Sequence, residues 1–216
     1  WWQQALVGVM FVMFVFLSAG TKAAETKPNI IFVMVDDLGY GDLGSYGQKR
    51  IKTPVLDQMA KEGIRFTDFY AGSTVCAPSR CVLMTGYHTG HCFIRGNGKD
   101  NLRPSDVTVA EVLKASGYRT GLYGKWGLGH EGSTGLPTRQ GFDHFFGYLD
   151  QHHAHNYYPQ FLVSGEKRFP LTNVVPSPGK YGQGVATKKN QYSHNLIMDE
   201  ALKFVDRCKD DPFFLY

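Results

Sequence analysis

The chain has 216 residues, 43% hydrophobic and 19% charged, the make-up of an ordinary globular protein, which excludes a disordered segment or a coiled coil. That length buries a good core, as one domain or as the first part of a larger one. The formal net charge of +4 is mild and gathers in no Lys/Arg block, so nucleic acid is not an expected partner, whereas an anionic substrate is compatible.

Ala5 to Leu17 is almost wholly apolar, and the small residues Ser18-Ala19-Gly20 and Ala23-Ala24 follow. This is the pattern of the hydrophobic region and cleavage zone of a secretory signal, and the run is shorter than the about 20 residues of a membrane span. A cleaved signal or N-terminal anchor is expected over residues 1–24, giving a secreted or periplasmic protein that touches a membrane only through that segment. No initiating Met and no basic residue precede the run, so the start reads as truncated. Cys76, Cys81, Cys92 and Cys208 lack a paired C-x-x-C zinc spacing; export permits disulfides, but the spacing assigns no pairing.

Ile30 to Val35 is a continuous apolar run, as expected of a central parallel strand buried on both faces. Asp36 and Asp37 follow at once. Beyond the carboxyl end of a strand, where open α/β sheets bind ligands, the pair suits a hard cation, Ca²⁺ or Mg²⁺; a plain strand-end turn with a helix N-cap is the alternative. Gly39, Gly41, Gly44 and Gly47 make a loop too irregular for a phosphate-binding glycine fingerprint. Thr53-Pro54 opens a helix that runs through Lys61, with Val55, Leu56 and Met59 on one side and Gly63 as its stop. Ile64 to Tyr70 is predicted as a second strand.

Val75-Cys76-Ala77-Pro78-Ser79-Arg80 then puts a thiol, a helix start and a fixed cation together. Pro78 suits a first helical turn, and Ser79 is expected to help satisfy the free amides there. Cys76 falls just ahead of the helix N-terminus, where amides and dipole favour negative charge, and Arg80 offers a fork shaped for an oxyanion. The stretch reads as a seat for a tetrahedral anion beside a reactive side chain.

His88 and His91 lie in a polar loop after Gly86. Thr108-Val109-Ala110-Glu111 is a capping box for a helix through Ala115 that ends at Gly117. Tyr118 to Tyr123 is a third predicted strand, and Lys125 stands in the loop at its end. His152, His153 and His155 suit a transition metal or, equally, a pocket that donates hydrogen bonds to an anion. Phe169 to Lys189 reads as a surface excursion. Ser193 caps a last helix with Ile197, Ala201, Leu202 and Val205 on its apolar face. Pro212 to Tyr216 begins another buried strand, inside which the chain stops, so this end too reads as truncated. The fold class is α/β, a mostly parallel central sheet with helices on both faces.

Cys76-Ala77-Pro78-Ser79-Arg80 followed by Thr85-Gly86 matches C-x-P-S-R-x4-T-G, and with the segments Asn29 to Asp42, Gly124-Lys125-Trp126 and Gln140-Gly141-Phe142-Asp143 the chain resembles the sulfatase family of the alkaline phosphatase superfamily from about residue 28 onward. The resemblance implies that Asp36 and Asp37 are ligands of one Ca²⁺, with Mg²⁺ as the other choice, and that Cys76 becomes a formylglycine, itself a ligand, made by a formylglycine-generating enzyme. One hydroxyl of the hydrated aldehyde would attack sulfur, and the other would expel sulfate by re-forming the aldehyde, an exit a serine ester lacks. Arg80 would hold the hydrate and the metal shell, and Lys125 a sulfate oxygen. His152 resembles a substrate-side histidine of some members, and His155 is a further candidate.

The chain also departs from the pattern. Many members read G-K-W-H-L-G, with a histidine that hydrogen-bonds the formylglycine where this chain has Gly127, and His130 lies nearby. Thr85-Gly86-Tyr87 replaces the usual T-G-R. The family's later Asp-Asn pair, second Lys and further His fall beyond the last strand, so these 216 residues expressed alone are expected to be poorly stable and inactive. The expected activity is hydrolysis of an aryl or carbohydrate sulfate. The alternatives are a phosphomonoester or phosphonate ester hydrolase of the same superfamily and a non-catalytic sulfated-glycan binder. A cysteine phosphatase is disfavoured, because Cys76 and Arg80 do not meet its C-x5-R loop.

Overall fold

The computed structural model describes residues 27–216, and the signal expected over residues 1–24 lies outside them. Six strands form one sheet in the order β1-β6-β2-β3-β4-β5. They are β1 (Ile30–Ile31), β2 (Arg119–Lys125), β3 (His144–Tyr148), β4 (Phe161–Ser164), β5 (Lys167–Pro170) and β6 (Phe213–Leu215). β1 with β6, β6 with β2 and β2 with β3 are parallel, while β4 and β5 add an antiparallel hairpin on the far side. The expected α/β fold with a mostly parallel sheet is therefore present.

Helices cover both faces, and strand alternation explains how. On β2, Leu122 joins a core with Trp126, Phe142, Phe145 and Phe214, to which α2 (Cys76–Thr85) adds Ala77, Cys81 and Met84 and α3 (Val109–Ala115) adds Ala110. The next residue, Tyr123, faces the other way, towards Phe146 and towards Phe204 and Cys208 of α4 (Ser193–Cys208). The Phe204 ring lies 5.7 Å from that of Tyr123 and 5.9 Å from that of Phe213. Burying such a side chain stabilises by about 1.5–3 kcal/mol. Gly121 lets the helix approach, since a Cβ there would meet the Phe204 ring at 3.0 Å.

The capping box is present: Glu111 N–H donates to Thr108 Oγ1 at 3.2 Å, and Thr108 N–H to Glu111 Oε2 at 2.7 Å. α1 (Pro54–Glu62) also forms where its signals place it, with Gly63 N–H donating to the Met59 carbonyl at its end.

Several expectations need correction. The Ile30–Val35 run is a two-residue strand on the outer side of β6, with Ile31, Val33 and Val35 exposed, because no second strand flanks it among the described residues. Ile64 to Tyr70 forms no strand and leaves Ile64, Phe66, Phe69 and Tyr70 exposed; an apolar run becomes a strand only where a neighbour completes its ladder. β2 runs on through Gly124 and Lys125, so the lysine closes the strand instead of lying in the loop. Tyr192, not Ser193, precedes the first turn of α4, and Leu202 is 60% exposed while Phe204 takes its place on the buried face. Phe169 to Lys189 is only partly surface, because Leu171, Asn173, Val175 and Ala186 are buried and Val174 bridges Lys188.

Candidate active site

The site starts at the first residue of α2. Val75 is extended (φ −127°, ψ 160°) and offers no side-chain cap, so the helix begins at Cys76 itself. The free Ala77 amide donates to Asn97 Oδ1 at 2.9 Å, from a loop twenty residues on, whereas the Ser79 amide bonds the Val75 carbonyl at 3.2 Å. Asn97 thus does the capping expected of Ser79. Gly86 closes the helix at φ 70°, its N–H donating to the Val82 carbonyl at 2.8 Å.

Cys76, a half-buried free thiol, is four residues and so about one helical turn from Arg80, which places both on one face. Arg80 is only 5% exposed. Its Nη1 donates to the Lys125 carbonyl and, at 3.0 Å, to the Tyr216 hydroxyl; its Nη2 lies 3.4 Å from Asp36 Oδ1. The buried Lys125 ammonium bonds the other oxygen, Asp36 Oδ2. β1, β6 and β2 run parallel, so Asp36, Tyr216 and Lys125 follow or close adjacent strands at one carboxyl edge, and Arg80 reaches that edge from α2. Tyr216 in turn donates to Met34 Sδ at 3.3 Å and packs 5.9 Å from Phe32, tying the exposed strand segment to the core.

Partial burial alone would push the Asp36 carboxyl up, but the hydrogen bond and charge of Lys125, joined by those of Arg80, more than offset it and hold the group below its ordinary value. Asp36 is thus kept ionised, with two cations against one carboxylate. Asp37 is exposed in the left-handed region (φ 55°), a conformation Asp tolerates better than most residues. Two adjacent carboxylates are hard oxygen donors of the kind Ca²⁺ or Mg²⁺ takes. Among the described residues no group of three or more His, Cys, Asp or Glu side chains is placed to hold a metal, so the three histidines of the His152–His155 segment form no transition-metal centre.

His152 and His155 are exposed on a short turn, with ring centroids 6.0 Å apart, and neither bonds Asp36, Arg80 or Lys125. His153 between them is buried against Tyr148 and Phe161 at 5.0 and 4.6 Å, and its Nε2 has no partner. Burial pushes its imidazole down to about 4, so it is neutral at neutral pH. His130 is engaged elsewhere, Nδ1 with Asn101 at 2.9 Å and Nε2 with Asp150 at 3.5 Å. It helps line a pocket of about 450 Å³ with Asp150, His153, Phe161, Arg168 and Tyr181, which the Asp36 cluster does not line.

Cys81 and Cys92 are buried free thiols, and burial pushes Cys81 up to about 11, with the neighbouring Cys92 adding to the effect. Three further participants escaped the sequence reading: Asn97, Tyr216 and Gln151, whose carboxamide donates to the Gly127 carbonyl at 3.1 Å. Each acts across the fold, and no local pattern marks it.

A mostly parallel sheet with an acid, two buried cations and a helix start at its carboxyl edge places the chain in the alkaline phosphatase-like α/β class. The chain belongs to the sulfatase family, whose model matches residues 28–216. It is 37% identical to arylsulfatase A of Homo sapiens over 93% of this chain and 42% of that protein, and 32% identical to N-acetylgalactosamine-6-sulfatase of Homo sapiens over 91% and 40%. Among solved structures it is similar to BT4656 in complex with its substrate D-glucosamine-2-N,6-O-disulfate (TM-score 0.69, 30% identity, 88% of this chain and 33% of that one). The PsFucS1 sulfatase from Pseudoalteromonas sp. is similar too (TM-score 0.67, 27% identity, 88% and 43%). The chain thus spans 42% and 40% of the two human relatives.

Proposed function

We propose that this chain supplies part of the active site of a sulfuric ester hydrolase acting on an aryl or carbohydrate sulfate. The observation that carries the reading is the meeting of Asp36 and Lys125 with Arg80, which lies one helical turn from Cys76 at the start of α2. Two buried cations against one carboxylate leave positive charge for the sulfate oxygens, and the amides at the start of the helix favour the same anion. Lys125 holds a sulfate oxygen, and Arg80 orients residue 76 while anchoring the strand ends. Stabilisation by a positioned group of this kind is typically worth about 3–4 kcal/mol.

In this reading Cys76 is converted to formylglycine by a formylglycine-generating enzyme, and a hard divalent cation is held by Asp36, Asp37 and residue 76. When bound, such a cation neutralises charge on the sulfate oxygens and lowers the pKa of the nucleophile. Asp36 fits, because its neighbours keep it ionised; Ca²⁺ takes six to eight oxygens, so these residues form part of the shell. Contact of the exposed His152 and His155 with the sugar or aryl part of the ester belongs to the same reading. Export through residues 1–24 to a secreted or periplasmic location belongs to the same proposal.

The test is hydrolysis of a nitrophenyl sulfate against the matching phosphate by the whole protein that carries this sequence, with peptide mass spectrometry across Cys76 in material from its native host. Preference for the sulfate and a converted Cys76 are expected. Strong preference for the phosphate would move the assignment to a phosphate ester hydrolase, and an unmodified thiol without turnover would leave a sulfated-glycan binder.

A further inference from the structure

α2 presents two faces, and its cysteines divide between them. Cys76 and Arg80 lie on the side of the candidate site, whereas Ala77, Cys81 and Met84 are buried in the core, at 3%, 0% and 1% exposure. The loop that follows the helix sends Cys92 and Ile94 into the same core, each 1% exposed. Both cysteines meet one peptide unit there. The Cys92 thiol donates to the Ile94 carbonyl at 3.2 Å, and the Ile94 amide lies against the Cys81 sulfur, which the Cys92 thiol also reaches with a hydrogen bond.

Neither of the other two cysteines of this chain competes for these sulfurs. Cys208 packs with Phe204 and Phe213 against the other face of the sheet, and Cys76 opens α2 on the side of Arg80. The loop that carries Cys92 also caps the helix that carries Cys76. The Ala77 amide donates to Asn97 Oδ1 at 2.9 Å, and Arg95 folds back on the Gly90 and Cys92 carbonyls at 2.8 and 3.1 Å. A bond between residues 81 and 92 would pin this loop to the second turn of α2 while Asn97 holds the first.

We infer that Cys81 and Cys92 are an oxidation site, joined in the exported protein as a disulfide that braces the start of α2. The inference rests on the export proposed above and on no step of sulfate chemistry. The oxidant is a thiol–disulfide oxidoreductase in its disulfide form, as oxidising compartments supply. One cysteine thiolate attacks that disulfide, giving a mixed disulfide and releasing one oxidoreductase sulfur. The other thiolate attacks the mixed disulfide, closing the bond between Cys81 and Cys92 and releasing the second sulfur. The two protons and two electrons of the thiols end on the reduced oxidoreductase. The exchange belongs to folding, before the core closes, because thiols buried this deeply do not meet a second protein and burial pushes Cys81 up to about 11, away from the reactive thiolate. Once closed, the bond is shielded from reductants by the same packing.

The test uses the whole protein that carries this sequence, secreted through a host signal into an oxidising compartment. Denaturation in iodoacetamide without reductant, digestion and peptide mass spectrometry are expected to give a crosslinked pair that holds Cys81 and Cys92 and separates on reduction. Reductant is expected to lower the thermal midpoint of the secreted protein by about 2–5 °C more than that of the Cys81→Ala/Cys92→Ala variant. Alkylation of both Cys81 and Cys92 in the secreted wild type, or a link from either to another cysteine, overturns the inference. An equal effect of reductant on the two proteins overturns the brace. Should the variant not accumulate, the mapping of the wild type decides by itself. The host signal makes the result independent of residues 1–24, and failure of the export reading shows separately, as retention in the cytoplasm of the protein with its natural leader.

Discussion

Residues 28–75 and residues 77–216 carry similar apolar patterns and end in opposite states of burial. Among the described residues none before Ala77 is buried. α1 has Met59 61% exposed on its apolar side, with Val55 and Leu56 exposed beside it, whereas α4 drives Phe204 to 0% between β2 and β6. An amphipathic pattern says which face a helix would bury; it does not provide the surface that buries it. The candidate site spans the two regions, since Asp36 comes from the exposed one while Arg80 and Lys125 come from the packed one. Arg80, buried and bonded to Asp36, Lys125 and Tyr216, is the residue that joins them.

The largest expected effect lies at the boundary. Cys76→Ser should take turnover of a nitrophenyl sulfate to background and leave the thermal midpoint unchanged, because a serine ester has no aldehyde to re-form. Substantial residual activity would overturn the role given to Cys76. The contrast in packing is sharpened by a pair of truncations followed by urea unfolding of the whole protein. Phe204→Ala should cost about 3–5 kcal/mol and Met59→Ala less than about 0.5 kcal/mol. Similar costs for the two would break the comparison and mean that α1 is covered in the working protein.

A smaller effect is expected from His153, a buried group of the packed region. Its folded-state value of about 4 lies below the unfolded value of about 6.5, so both states are neutral above that value and the imidazole carries no penalty there. As pH falls from about 6.5 to 4 the unfolded chain takes up the proton first, and stability drops by up to about 3 kcal/mol. His153→Leu should flatten that part of the loss, measured by unfolding at pH near 7 and near 4.5; an unchanged slope would show that burial does not depress this histidine. The smallest effect is on a helix end. Thr108→Ala removes the capping box of α3 and should cost about 1 kcal/mol in the same unfolding assay.

The features legible in the chain were those set by neighbours in sequence. The Thr108–Glu111 box, Pro54 and Gly63 at the ends of α1, and Pro78 in the first turn of α2 act over three or four residues, so their effect travels with the sequence wherever the segment goes. The motif from Cys76 to Gly86, with Asp36, Asp37 and Lys125 in order, likewise carried the family. Strand identity was less legible: Ile30–Val35 is an apolar run as good as β6 and Ile64–Tyr70 alternates like a strand, but a strand exists only with a partner, and the partner is chosen far away.

The site shows the same division. Residue types and spacing pointed to a helix that begins at Cys76 with Arg80 one turn on, and to acid and base after strand-like runs. Only the tertiary structure decided that Arg80 is held by Tyr216, 136 positions on, that Asn97 caps the helix of Cys76, and that Gln151 fills the space above Gly127. The physical reason is range. Capping and helix formation are satisfied within one turn of chain, whereas a buried charge or a crowded glycine is satisfied by whichever side chain the sheet order brings beside it.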